Sequence, residues 1–189
     1  MTRIVAGSAK GRTLAVPKSG TRPTSERVRE ALFSRLDHMN VLEGAVVLDL
    51  YAGTGALGLE ALSRGAATAT LVEKASGAAR VATSNVRSTG LNARVVTADA
   101  RAYLAARSGQ VLSGEVDLVF IDPPYDIAEA DMTAVLEGLA PWIGPDALVV
   151  VERSTRAPGG RRSPTSRVRP YPRWNLRILT NPTAPRPRR

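Results

Sequence analysis

The chain has 189 residues, of which 43% are hydrophobic and 23% are charged, a size and composition typical of one soluble globular domain with extensions. No apolar run approaches the ~18 residues that span a bilayer and no signal-peptide core is visible, so we expect a cytoplasmic protein without membrane contacts. Cysteine is absent and histidine occurs once, which excludes disulfides, thiolate metal sites and cysteine nucleophiles and predicts no metal ion.

The net charge of +9 is distributed unevenly along the chain. Residues 1–36 carry +6, residues 37–152 carry −8 and residues 153–189 carry +11. An acidic centre between two basic ends predicts that the centre holds the chemistry and the ends bind a polyanion. The basic residues are mostly arginine, whose guanidinium group pairs bidentately with phosphate, so nucleic acid is the favoured partner. An arginine-rich proteome would explain the preference for arginine, but not its segregation.

The first predicted elements are a β-hairpin and a helix. The β-like runs 3–5 and 13–16 flank Gly7 and Gly11, which predicts the hairpin. A helix is predicted from Thr24, with apolar side chains every four residues on its buried face: Val28, Leu32 and Leu36. Its arginines are predicted to lie on the other faces: Arg27, Arg29 and Arg35.

Strands and helices alternate in the centre of the chain. Short β-branched runs predict five buried strands: 45–50, 68–73, 94–98, 116–121 and 147–151. Helices are predicted between them: one ending at Gly65, and others near 75–88, 100–107 and 128–140. This order predicts an α/β, Rossmann-like, doubly wound, mostly parallel sheet with helices on both faces.

The end of the chain is predicted to complete the sheet. After a loop over 154–166 that looks mobile, the runs 167–171 and 174–179 predict an antiparallel C-terminal end. The chain thus divides into a basic extension over 1–36, an α/β domain over 37–182 and a basic, disordered tail over 183–189. We expect a monomer.

Acidic residues stand at the carboxyl ends of four successive predicted strands: Asp49, Glu73, Asp99 and Asp122. Ligands of open parallel sheets bind beyond these strand ends, so the four carboxylates should approach one pocket. Any one of them could instead cap a helix. Four acidic residues that each stand at the end of a strand together predict a binding site.

The turn after the first strand has the Gly-x-Gly-x-x-Gly pattern of nucleotide-binding folds at Gly53, Gly55 and Gly58. Glu73, twenty residues after Gly53, also satisfies the NAD fingerprint, so a nicotinamide dehydrogenase is a competing interpretation. However, a dinucleotide pyrophosphate would bring two negative charges into a pocket of four carboxylates. S-adenosylmethionine instead brings a sulfonium, an ammonium and hydrogen-bond donors, so electrostatics favours it.

The fourth strand ends in Asp-Pro-Pro-Tyr at residues 122–125, which resembles the motif of methyltransferases that modify amino nitrogens conjugated to a π-system. Such a nitrogen is a poor nucleophile because its lone pair is delocalised. The Asp122 carboxylate and the Pro123 carbonyl can accept both amino hydrogens and direct the lone pair at the methyl group, and Tyr125 can stack on a base. The structural alternative is a Pro-Pro turn with a capping aspartate and a core tyrosine.

These motifs together resemble the RsmD-type family of bacterial small-subunit ribosomal RNA guanine-N2 methyltransferases. The resemblance covers about residues 3–152 and includes these segments: 3–7, 11–12, 22–24, 27–33, 47–64 and 117–125. It implies that the domain over 37–182 uses S-adenosylmethionine to methylate the N2 amino group of one guanine in 16S ribosomal RNA. The substrate would be a 30S particle or an assembly intermediate.

The resemblance also implies roles for individual residues. The cofactor's methionine part would be held by the first turn: Asp49, Tyr51, Ala52, Gly53, Thr54 and Gly55. Glu73, next to Lys74, would accept from the ribose, and Asp99 with the Ala100 backbone would hold adenine. The guanine would be contacted by Asp122, Pro123 and Tyr125. Asp122 would also border the cofactor. The basic extension would bind RNA: Arg3, Lys10, Arg12, Arg22, Arg27 and Arg29.

Two other classes of function stay open at this point. A DNA methyltransferase acting on an adenine or cytosine amino group would carry the same Asp-Pro-Pro-Tyr motif and basic ends. A non-catalytic RNA-binding protein on the same scaffold is disfavoured because it would not need four carboxylates at the strand ends. Methylation at cytosine C5 requires a cysteine thiolate, which the chain lacks.

Overall fold

The computed structural model describes residues 2–16, 26–106, 115–124, 127–152 and 177–180, with side chains except at 145 and 177–180. Several sequence predictions therefore lie outside the described residues: Arg22, Tyr125, the loop 154–166, the run 167–171 and the tail 183–189.

An antiparallel hairpin opens the chain, as the sequence predicts. Strand β1 (Thr2–Arg3) pairs with strand β2 (Thr13–Leu14). The strands are shorter than the predicted runs because the amides of Val5 and Ala6 donate to the side chain of Glu60 and not to the partner strand. The hairpin is thereby directed onto the rest of the fold.

Helix α1 (Glu26–His38) follows, and its buried face differs from the prediction. Arg29, Phe33 and Leu36 are the buried residues, whereas Val28 and Leu32 are only partly buried. The spacing of apolar residues does not predict this face, because the face includes an arginine. A charged side chain can be buried when an opposite charge compensates it. That partner is again Glu60, whose carboxylate oxygen lies 3.7 Å from Arg29 Nε.

A six-stranded sheet forms the centre of the fold. Its strands are β3 (Val46–Asp49), β4 (Thr68–Glu73), β5 (Ala93–Thr97), β6 (Val116–Ile121), β7 (Ile143–Val151) and β8 (Arg177–Thr180). They lie in the order β5-β4-β3-β6-β7-β8, and every pair is parallel except β7 with β8. The predicted α/β class, the parallel sheet and its antiparallel end are confirmed. The chain changes direction across the sheet between β3 and β6, where ligands of such folds bind.

Four further helices cover the sheet: α2 (Ala56–Ser63), α3 (Ser76–Thr89), α4 (Ala100–Ala105) and α5 (Glu129–Leu139). One hydrophobic cluster includes Phe33, Leu59 and the hairpin residues Ile4 and Leu14. The other lies against α4 and α5. The extension thus shares a hydrophobic core with the sheet. None of the helices in the described ranges is long and apolar enough to cross a membrane.

Glu60 on α2 holds the extension in place. It is completely buried, and its carboxylate accepts from the amides of Val5 at 2.8 Å and Ala6 at 3.1 Å and from Arg64 Nε at 2.8 Å. Arg29 also donates to the carbonyl of Arg3. Burial lowers the pKa of Arg29, and the charge of Glu60 opposes that shift.

Replacing Glu60 by Gln should destabilise the fold by about 3–5 kcal/mol, because it leaves the buried Arg29 without its opposite charge. Urea unfolding measures the change, and Glu137→Gln, an exposed position on α5, is the matched control with an expected change near zero. Equal stability of the two variants would contradict the role given to Glu60.

Candidate active site

The structure brings the four predicted carboxylates to one edge of the sheet. Asp49 and Glu73 end β3 and β4, Asp122 follows β6 directly, and Asp99 lies two residues beyond β5. Because these strands are parallel, their carboxyl ends share that edge. Asp122 and Glu73 lie close enough to Asp49 for their charges to raise its pKa.

Asp49 is the most deeply buried of these groups. It is 1% exposed, and among the described residues no donor reaches either carboxylate oxygen with regular hydrogen-bond geometry. Burial, followed by the charge of Asp122, raises the pKa of Asp49 to about 7, although the backbone amides of Tyr51 and Gly58 act in the opposite direction. A buried carboxylate that lacks regular hydrogen bonds is unfavourable, so this site fits a ligand with a cationic, hydrogen-donating group such as an ammonium.

The turn after β3 leaves room for a ligand on one side and packs tightly on the other. Gly53 has a φ of +55°, and a side chain there would meet nothing within 4 Å. At Gly58, by contrast, an added Cβ would come within 2.3 Å of a side-chain methyl of the buried Leu71, so a larger residue there would have to displace that side chain. The turn thus presents open backbone next to Glu73.

Glu73 keeps hydrogen-bonding capacity for a ligand. One carboxylate oxygen accepts from the Gly53 amide at 2.8 Å and the other from the Ala75 amide at 2.7 Å. Each oxygen can accept a second hydrogen bond, which suits a pair of neighbouring hydroxyl groups. Lys74 is exposed and contacts Asp99 at 3.1 Å.

Asp99 caps a helix, which the sequence analysis gave as the alternative role for any one of the four acidic residues. It accepts from the amides of Arg101 at 3.0 Å and Ala102 at 3.4 Å at the start of α4. Burial acts to raise the pKa of Asp99, but the hydrogen bonds from Lys74 and these two amides hold it below its ordinary value. Ala100, beside it, is buried. A contact with adenine stays a prediction.

The Asp-Pro-Pro turn directly follows β6. Asp122 is partly buried, Pro123 is buried and Pro124 is exposed. The Pro124 carbonyl accepts from the Ile127 amide at 3.1 Å, so this hydrogen bond joins the described residues on either side of 125–126. The acceptors predicted to meet the substrate, at residues 122 and 123, therefore sit on a turn fixed to the sheet.

Glu152 is a site residue that the sequence analysis missed. It follows β7 directly, and its amide donates to the Ile121 carbonyl at 2.9 Å, so it lies beside Asp122 at the ends of neighbouring strands. Its carboxyl group shares a hydrogen bond with Asp122, which requires a proton on one of the two. Burial, followed by the charge of Asp122, raises the pKa of Glu152 to about 9. An acidic residue at the end of a fifth strand is the signal that could have found it.

The predicted RNA contacts have different environments. Lys10 and Arg27 are exposed, Arg3 is exposed and pairs with Glu26, and exposed Arg12 donates to the Ser88 carbonyl at 2.7 Å. The prediction for Arg29 is wrong: its side chain is 1% exposed and belongs to the Glu60 network.

Within the described ranges, no group of three or more potential ligand side chains is arranged for a metal ion.

Asp49→Asn should stabilise the ligand-free protein at alkaline pH. The pKa of Asp49 in the folded state, about 7, lies above its ordinary value of 3.8. Its stabilising, protonated form is therefore fully present below pH 3.8 and is lost as the pH rises through 7. The variant is neutral throughout, so its stability relative to the parent should rise between pH 5 and pH 8 by on the order of 2–4 kcal/mol. Urea unfolding at both pH values measures this; a difference independent of pH would contradict it.

Comparisons with known proteins agree with this architecture. The sequence model of the family conserved hypothetical protein 95 matches residues 2–165. Ribosomal RNA small subunit methyltransferase D of Escherichia coli (strain K12) is 41% identical over 152 residues, which cover 79% of this chain and 73% of that protein. The Haemophilus influenzae protein of the same name is 35% identical over 160 residues, covering 82% and 80% of the two chains.

Structural similarity extends over nearly the whole chain. The solved structure of Escherichia coli yhhF, which carries a provisional methyltransferase name, aligns with a TM-score of 0.76 and 34% identity over 94% of this chain and 96% of that one. The motifs, the sheet order and these similarities agree, and the chain belongs to the conserved hypothetical protein 95 family, the family of RsmD-type methyltransferases.

Proposed function

We propose that this protein transfers a methyl group from S-adenosylmethionine to the N2 amino group of one guanine in small-subunit ribosomal RNA, within a 30S particle or an assembly intermediate. The observation that carries the proposal is the buried carboxylate of Asp49, which no donor of the described residues reaches with regular hydrogen-bond geometry, beside the Asp122-Pro123 turn at the reversal point of the sheet. The names of the relatives support the ribosomal RNA substrate.

The strand-end residues fit the parts of the cofactor. Asp49 would accept from its ammonium, Glu73 from the ribose hydroxyls, and Asp99 with the Ala100 backbone would hold the adenine. The open side of Gly53 would border the methionine part, together with the neighbouring residues of the turn: Tyr51, Ala52, Thr54 and Gly55. When bound, S-adenosylmethionine supplies a methyl group activated by its positively charged sulfur.

Asp122 and Pro123 would prepare the nucleophile. The Asp122 carboxylate and the Pro123 carbonyl accept one hydrogen bond each from the guanine amino group and thereby orient its lone pair. Asp122 would also take up the proton that the amino nitrogen releases once it carries the methyl group. Tyr125 would stack on the guanine.

The exposed basic residues of the extension would bind the RNA backbone: Arg3, Lys10, Arg12 and Arg27. A guanine has to leave its base stack to reach the strand ends, so a loop or a partly assembled particle suits this site better than a regular duplex. Methyl incorporation into unmethylated small-subunit particles, followed by nucleoside analysis for N2-methylguanine, tests the proposal. Another methylated nucleoside, or transfer to DNA in preference to RNA, would overturn it.

Asp122→Asn keeps the shape of the side chain but replaces an acceptor with a possible donor. Turnover should fall by on the order of 10²-fold or more. Binding of S-adenosylhomocysteine, measured by calorimetry, should stay within a few-fold. Full turnover in this variant would remove Asp122 from the mechanism.

Methyl transfer should slow above about pH 9 as Glu152 loses the proton that it shares with Asp122. Glu152→Gln keeps an N–H donor at every pH, so the ratio of variant to parent rate should rise between pH 8 and pH 10. Single-turnover rates on the same RNA measure this ratio, in which ionisation of the guanine itself cancels. A ratio independent of pH would contradict the shared proton.

Substitution of Lys10 and Arg27 by Ala should weaken RNA binding and reduce its salt dependence by about one unit of log–log slope for each phosphate that the protein no longer neutralises. Affinity for S-adenosylhomocysteine should not change. Arg94→Ala, an exposed arginine on the edge strand β5, is the matched control. An equal loss of RNA affinity in the control would show that the extension is not the RNA-binding surface. Point substitutions are preferable to deletion of the hairpin, because deletion would also remove the Val5 and Ala6 amides that donate to the buried Glu60.

A further inference from the structure

Asn85 on α3 joins two segments that lie far apart in the sequence. Its side chain is buried, with the residue 2% exposed. The side-chain oxygen accepts from the Ala15 amide at 2.8 Å, and the side-chain nitrogen donates to the carbonyls of Ala15 at 3.1 Å and Thr54 at 2.9 Å. One amide group thus uses its acceptor and its two donors on two separate pieces of backbone.

The two segments have different proposed tasks. Ala15 directly follows β2 in the basic extension, whereas Thr54 lies in the turn between β3 and α2 that would hold the cofactor. A second bond fixes the extension to the same helix, because Arg12 donates to the Ser88 carbonyl. Movement of either segment away from α3 would leave polar groups of Asn85 unpaired in a buried place, which is costly.

We propose that Asn85 is a positioning residue that couples the extension to the cofactor turn, so that RNA and cofactor raise each other's affinity. The identities of both ligands rest on the proposed function. RNA that immobilises the extension holds Ala15 against Asn85, and Asn85 in turn holds Thr54 and its turn in one arrangement. When one ligand has already ordered these two segments, the other ligand no longer has to order them, and it therefore binds more tightly. Linkage makes the effect reciprocal.

The test measures this coupling in the full-length protein. The dissociation constant of S-adenosylhomocysteine, which cannot react, is measured with and without saturating small-subunit ribosomal RNA transcribed in vitro. The converse measurement gives the effect on RNA. We expect each ligand to tighten the other by the same factor, on the order of 5–20-fold.

Two variants and one control isolate the side chain. Asn85→Asp has nearly the same shape but turns acceptor oxygens toward the carbonyls of Ala15 and Thr54, and Asn85→Ala removes all three bonds. Both should lower the coupling factor toward one. Ser84→Ala, at the exposed neighbouring position on α3, should retain it. A purely structural role would weaken each affinity without changing the factor.

The outcomes separate this inference from the proposed function. RNA binding without coupling in the parent, or an unchanged factor in the Asn85 variants, overturns the coupling alone. Normal binding of S-adenosylhomocysteine with no binding of the RNA overturns the proposed function. If neither variant folds, hydrogen exchange in the parent decides: S-adenosylhomocysteine should slow exchange of the Ala15 amide at least several-fold, and unchanged exchange overturns the inference.

Discussion

The buried carboxylate of Glu60 determines how the N-terminal part of the chain meets the sheet. Its oxygens accept from two amides of the hairpin and from Arg64, the residue that directly follows α2, and its charge faces Arg29 of α1. Ser63, one turn further along α2, adds contacts to the hairpin: its carbonyl accepts from Ser8 at 2.7 Å and its hydroxyl accepts from Ala9 at 2.9 Å. Helix α2 thus starts at the glycine turn and ends against the extension.

Asp49 and Glu60 show that a buried carboxylate can either stabilise a fold or mark a ligand site. Both carboxylates are almost inaccessible to solvent. Glu60 is surrounded by donors, so its burial stabilises one arrangement of three elements. Asp49 lacks regular donors in the described part of the chain, and burial raises its pKa to about 7. An unfavourable group that persists in a folded protein points to a ligand that completes it, because such local violations concentrate at functional sites.

The sheet and the position of the site could be predicted because both depend on local patterns. Runs of β-branched residues mark the strands, and an acidic residue at the same position after each strand marks the edge where they end. Strand ends shift by up to four residues: the predicted run 45–50 becomes Val46–Asp49, and the predicted run 147–151 becomes Ile143–Val151. The hairpin and the antiparallel end of the sheet also follow from local sequence.

What could not be predicted depends on partners distant in the chain. Arg29 looks like a surface arginine until Glu60, thirty-one residues later, is placed beside it. Asn85 carries no local signal, because its partners Ala15 and Thr54 meet only in the folded chain. Glu152 repeats the strand-end pattern, yet its effect on Asp122 depends on the register between β6 and β7.

The close approach of the hairpin turn to α2 has a consequence for target selection. At Gly7 an added Cβ would lie 1.6 Å from the Ser63 carbonyl oxygen, so the turn is seated directly on the helix backbone. The turn is therefore held on α2, whereas the coupling proposed above concerns the other end of the hairpin, at Ala15. If RNA binds beside this turn, as proposed, the distance from its bound phosphates to the carboxyl ends of the strands would be fixed by the fold. One guanine among many would then be chosen by its distance from the anchored phosphates, and the RNA would be the molecule that changes shape.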